Sequence, residues 1–143
     1  MPIAAPVNLG AEATAQNKIW STDPHVRFND QELTIMRLEG QFYWHVHNDS
    51  DEMFLIIDGE VFVETREGST NIDEEADAPT TSRWLRKGDV FVVPRGTAHR
   101  SAAPKGASVM FGLKSNALLF MKDDEKEAEG SQGSVSDCKN RSC

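Results

Sequence analysis

Cysteine is nearly missing from this 143-residue chain: its only two, Cys138 and Cys143, fall within the last six residues. Two terminal thiols cannot staple a core or build a thiolate metal site, so the fold must rest on apolar burial, for which this length suffices. No apolar run approaches the roughly 20 residues of a membrane-spanning helix, and no membrane partner is expected. Positive charge is scarce as well. Fifteen Lys and Arg against 23 Asp and Glu leave a net charge of -8, the wrong sign for a phosphate backbone, so nucleic acid is not expected either. Met1 to Gln16 carries no Lys or Arg ahead of an apolar stretch; the secretory-signal pattern is missing and a cytoplasmic location is the expectation.

Helical periodicity of any length is also missing, and no internal repeat is visible. From residue 25 to 113 the chain instead shows short runs rich in Val, Ile, Phe and Leu, broken by Gly, Pro, Asn and Asp. That pattern predicts an all-β domain with strands near 25–28, 32–38, 41–47, 52–57, 60–66, 83–86, 90–93, 99–102 and 107–113. Asp58-Gly59, between Phe54-Leu55-Ile56-Ile57 and Val61-Phe62-Val63, predicts a two-residue hairpin turn. Half of the excess negative charge lies in Asp73, Glu74, Glu75 and Asp77, within a segment, 69–82, expected to be a solvated acidic loop dispensable for the fold. Beyond Met121, residues 122–143 contain no large apolar group except Val135 and are expected to form a disordered acidic tail, leaving 1–121 as the single domain.

Three of the four histidines stand in patterned places. His45 and His47 are two apart in Gln41-Phe42-Tyr43-Trp44-His45-Val46-His47, which on a strand puts both imidazoles, and Tyr43, on one face, with Trp44 on the other. Glu52 is an odd number of residues from His47 and would point away unless the chain turned, and Asn48-Asp49-Ser50-Asp51 supplies that turn. Phe54 and Ile56 would follow Glu52 inward. His99 opens a strand after a turn defined by Pro94 and Gly96. These side chains form either a convergent ligand set or ordinary strand histidines of the surface and core. His25, in Asp23-Pro24-His25-Val26-Arg27, has no such pattern and reads as a surface or packing residue. Trp20, Trp44 and Trp84 read as core or sheet-packing residues.

Gly40, His45, His47, Glu52 and Gly59, followed by Gly88, Pro94, Gly96 and His99, resemble the two motifs of the cupin superfamily, over about residues 30–113. The departures are one residue fewer between Gly40 and His45, and Ala103 where the family usually has Asn. The resemblance implies a single-domain double-stranded β-helix, or jelly-roll barrel, whose metal ligands are His45, His47, Glu52 and His99, and a homodimer that covers barrel edges.

Three imidazoles and one carboxylate suit one divalent transition metal, Fe(II), Mn(II), Ni(II), Co(II), Cu(II) or Zn(II). With one glutamate the bound ion keeps a net charge near +1, which favours a small oxygen-rich anion such as an enolate, carboxylate or catecholate. Glu52 is the candidate catalytic group, since a carboxylate both lowers the site's charge and can accept a proton. Tyr43, Arg37, Phe54 and Ile56 are candidates for the substrate pocket. Dioxygenase chemistry is placed ahead of isomerase, lyase or decarboxylase chemistry, and a non-enzymatic small-ligand module is the third reading. Neither a glycine-rich phosphate loop nor a basic cluster accompanies the motifs, which argues against a sugar-phosphate substrate.

Overall fold

The computed structural model describes residues 4–15, 26–119 and 121; Trp20, His25, Cys138, Cys143 and the 122–143 tail lie outside them. A short helix α1 (Leu9–Ala15) precedes β1 (Val26–Phe28), β2 (Gln31–Gln41), β3 (Glu52–Arg66), β4 (Thr81–Arg86), β5 (Val90–Val93) and β6 (Ala98–Lys114). The strands pair antiparallel in the order β1-β2-β6-β3-β4, with β5 also on β3. This is the expected all-β jelly-roll architecture. Among the described residues no helix is long and apolar enough to cross a membrane.

Asp58-Gly59 does not make a hairpin. The chain runs on through it as one strand, β3, whose partner β6 accompanies it on both sides of the interruption. The register slips between Ile56 and Asp58 and again between Gly59 and Phe62, so the positive φ of Gly59 (82°) serves a bulge and not a reversal. On its other edge β3 pairs with β5 through residues 52–55 and with β4 through residues 60–65. The strand therefore changes neighbours on that edge at this bend, from β5 to β4. β2 has its own irregularity between Leu38 and Gly40, and residues beyond Gln41 stay beside β6 through the Phe42 N–H to Ser101 carbonyl bond and the paired His45–His99 bridge. The predicted strands 32–38 and 41–47 are thus one bent path, as are 99–102 and 107–113.

This bending is what lets distant residues meet. Glu52 begins β3 and His99 lies across from Thr65 near its other end, yet their side chains touch at 2.9 Å. Folding β3 and β6 over at Gly59 brings the two ends face to face. Within the curl of the sheet lie Met36, Leu38, Phe54, Ile56, Val61, Val63, Val93, Val109, Phe111 and Leu113, mostly alternate residues of their strands as the pleat requires. The two motif departures also face one another, since Gly40 pairs with Ala103.

The acidic segment between β3 and β4 is mostly exposed, as expected of a solvated loop, but arginines reach into it. Arg66 donates from Nη1 to the carbonyls of Asn71 and Asp73, and Arg100 bonds both Glu64 and Glu74.

Candidate metal centre

Turns deliver the four side chains. Asn48 to Asp51 carry the chain from His47 to the start of β3, so Glu52, Phe54 and Ile56 point inward, each buried to within 2% of complete. Pro94 to Thr97 form the second turn, where Gly96 (φ 75°) donates its N–H to the His47 carbonyl. That bond ties the two ligand-bearing turns to each other. His45, His47, Glu52 and His99 are between 1% and 4% exposed, and one ligand atom from each lies within 4.8 Å of the others.

Hydrogen bonding fixes which atoms face inward. The Nδ1 of His45 lies 2.8 Å from the Tyr43 carbonyl, that of His47 2.9 Å from the Leu118 carbonyl and that of His99 2.9 Å from the Thr97 carbonyl. A carbonyl only accepts, so each Nδ1 carries the proton and donates, and each Nε2 is left with its lone pair directed inward. Glu52 adds two more acceptor oxygens. His99 Nε2 and Glu52 Oε1 approach to 2.9 Å, which two acceptors do only with a proton or a cation between them. His47 Nε2 and Glu52 Oε2, 3.6 Å apart, are buried with no hydrogen-bond partner. Orphaned buried acceptors of this kind cost of the order of 1–3 kcal/mol each. A divalent cation would satisfy both of these orphaned acceptors, so the donor set fits the metal that the sequence implied.

Burial pushes the His45 imidazole well below its ordinary 6.5, and the neighbouring His99 and His47 add to the effect. His47 is lowered too, its burial outweighing the attraction of Glu52. Both rings therefore remain neutral and ligand-competent under mildly acidic conditions. The sign of the stability effect follows. Below pH 6.5 the unfolded chain takes up protons that the folded metal-free chain refuses, so folding stability falls from about pH 6.5 down to the depressed folded values. The urea midpoint of the metal-free protein is expected to drop between pH 7.5 and 5.5; a midpoint constant over that range would contradict the assignment.

Not every expected pocket residue comes to this centre. Phe54 does, its ring centroid 6.4 Å from that of His99, while Ile56 lies further along the apolar core. Arg37 does not. It alternates with inward Met36 and Leu38 and so faces outward, lining a cleft of about 550 Å³ at the barrel's bend with Asp58, Gly59 and Gly106. The Tyr43 side chain also departs from expectation, because residues 42–44 leave regular strand geometry. It packs with Phe42 against Leu119 and Met121, while its backbone carbonyl orients His45.

Sequence reasoning overlooked several contributors. Phe42 sets its ring edge-on to His45 at 5.0 Å. Trp44, on the opposite face as expected, is covered by the Arg66 guanidinium at 3.8 Å, a cation–π contact that backs the ligand strand. The Tyr43 and Thr97 carbonyls each stand two residues before the histidine they orient, a local signal that was available. Leu118 is 71 residues from His47, and no spacing announces it.

The family model described as Cupin matches residues 32–120. Uncharacterized protein YdbB of Bacillus subtilis (strain 168) is 29% identical over 73 residues, 51% of this chain and 54% of YdbB. This chain thus spans about half the length of that relative. A cupin-2 domain containing protein from Shewanella frigidimarina superposes with a TM-score of 0.62 at 24% identity, covering 74% of this chain and 91% of that one. Hydroquinone 1,2-dioxygenase from Sphingomonas sp. TTNP3, with 4-hydroxybenzoate bound, gives 0.61 at 19% identity, with 73% and 71% covered. At these identities the structural likeness concerns the fold.

Proposed function

Since this chain belongs to the cupin family, we propose that it is a metal-dependent enzyme acting on a small, oxygen-rich organic anion, with dioxygenase-type chemistry. The observation that carries this reading is the burial of His45, His47, Glu52 and His99 around one point, with His47 Nε2 and Glu52 Oε2 left without a hydrogen-bond partner. Held there, a divalent ion supplies Lewis-acid polarisation of a substrate oxygen and, if redox-active, a route for electrons. The rest falls to the chain. Three carbonyl-anchored imidazoles hold their Nε2 atoms in place, so little reorganisation accompanies binding. Glu52 has two carboxylate oxygens facing the cluster, and one that a bound ion leaves free would accept a proton from a bound enol or phenol, leaving the substrate anionic. Phe54 beside His99, itself packed against Phe91 and Phe111, keeps that side apolar and would strengthen attraction between an anion and the site. Hydroquinone 1,2-dioxygenase from Sphingomonas sp. TTNP3 shares this fold, which supports testing phenols and enols first.

Oxygen uptake by metal-loaded protein, screened against enols, catechols and keto acids, tests the reading. Substrate-dependent uptake that disappears on chelation and returns with one added metal is expected. Turnover without oxygen uptake would move the protein to the redox-neutral isomerase, lyase or decarboxylase class. Stoichiometric binding without turnover would make it a ligand-binding module.

A further inference from the structure

The segment after β6 does more than end the domain. Leu118 offers both halves of its peptide environment to one turn: its carbonyl takes the His47 Nδ1–H at 2.9 Å, and its N–H donates to the Asp49 carboxylate at 3.2 and 3.3 Å. Upstream, Ser115 N–H bonds the Asp30 carbonyl and Lys114 N–H the Ser50 hydroxyl. Downstream, Leu119 and Met121 are 4% and 3% exposed and seat against Phe42 and Tyr43, next to His45. Residues 115–119 therefore run beside His47 and its turn, held by backbone bonds on one side and by the apolar seat of Leu119 on the other.

From this we infer that residues 115–119 form a strap whose docking is thermodynamically linked to metal occupancy. The inference rests on the metal reading above. His45 and His99 are oriented by carbonyls of their own strands, only two residues away. His47 alone depends on a carbonyl from a distant segment. With the strap seated, His47 presents a fixed Nδ1–H tautomer and an inward Nε2 lone pair. With the strap lifted, the ring loses that anchor and must be ordered when metal binds, at a cost in affinity. Linkage makes the effect reciprocal: the factor by which docking raises metal affinity is the factor by which metal favours docking. Asp49 is a positioning residue in this scheme, acting through Leu118.

Two measurements on the full chain test it, with Co(II) as the probe metal. Hydrogen exchange of the 115–119 amides is compared with and without Co(II), and Co(II) affinity is measured by chelator competition. In the wild type, Co(II) is expected to slow exchange of these amides about tenfold or more, the scale on which groups orienting metal ligands act. Leu119→Ala, which loosens the apolar seat and leaves every bonded atom in place, is expected to weaken Co(II) binding several-fold and shift its visible absorption spectrum. Asp49→Ala should act in the same direction, with Asp49→Asn, which keeps an oxygen acceptor, restoring most of the loss. A purely structural role would lower thermal stability and leave the affinity and spectrum of the folded protein unchanged. That result, or Co(II) binding with no change in exchange at 115–119, overturns the strap while leaving the metal centre standing. Failure of the wild type to bind Co(II) at all overturns both.

Discussion

Glu52→Gln is expected to stabilise the metal-free protein while crippling its metal site. In the wild type the carboxylate sits among imidazole lone pairs that need a donor, 2.9 Å from His99 Nε2 and 3.6 Å from His47 Nε2. A glutamine amide is nearly the same shape and brings its own N–H donors. It can satisfy a nitrogen that otherwise waits for a proton or a cation, a gain of about 1–3 kcal/mol by the cost of an unmade buried hydrogen bond. For a chain of this size that raises the melting temperature by roughly 3 °C or more. Metal binding moves the other way. The neutral amide no longer offsets the ion's charge, so affinity should fall beyond the about 10–100-fold that outer-shell changes produce. Three imidazoles still bind at saturating metal, and activity per bound metal should then be mostly lost if Glu52 is the proton acceptor. A variant less stable than wild type without metal would show that the four acceptors are not in conflict.

Gly59→Ala is expected to be among the most damaging single changes. A Cβ at this position would stand 2.6 Å from the Gly106 carbonyl oxygen and 2.9 Å from the Ala107 Cα, both backbone atoms of the paired strand. The positive φ alone costs about 1–2 kcal/mol, and displacing a packed backbone about 1–3 kcal/mol more. A loss of about 2–5 kcal/mol is a large part of a domain's usual stability. Gly68→Ala is the control, because Gly68 has φ 74° with nothing within 4 Å of an added Cβ. Urea unfolding should show the Gly59 variant losing clearly more than the Gly68 variant. Equal losses would mean that the bend tolerates separation of the strands.

The same glycine shows where sequence reading stopped. Its Asp-Gly context carries a turn signal that holds for reversals and bulges alike, and only pairing with β6, more than 40 residues away, separates the two. The meeting of His45, His47, Glu52 and His99 was legible in part because each depends on local rules, period-two placement for His45 and His47, a four-residue turn before Glu52 and a Pro-Gly turn before His99, while the cupin resemblance marked them as a ligand set. Arg37 was named for the pocket without a strand phase to place it, and its alternation with inward Met36 and Leu38 turns it outward, since one residue of phase moves every side chain of a strand to the other face. Tyr43 failed for the opposite reason, because alternation was extended through residues 42–44, where the strand is irregular. The orientation of His47 by Leu118 depends on tertiary folding alone.

His45, His47, Glu52 and His99 are expected to bind one divalent ion, and titration of the chelator-stripped full chain with Co(II), followed by visible absorption, is the test. One equivalent per chain is predicted, with a spectrum typical of nitrogen and oxygen ligands that is lost in His99→Ala. No saturable binding by the wild type, or a spectrum unchanged in His99→Ala, would contradict it.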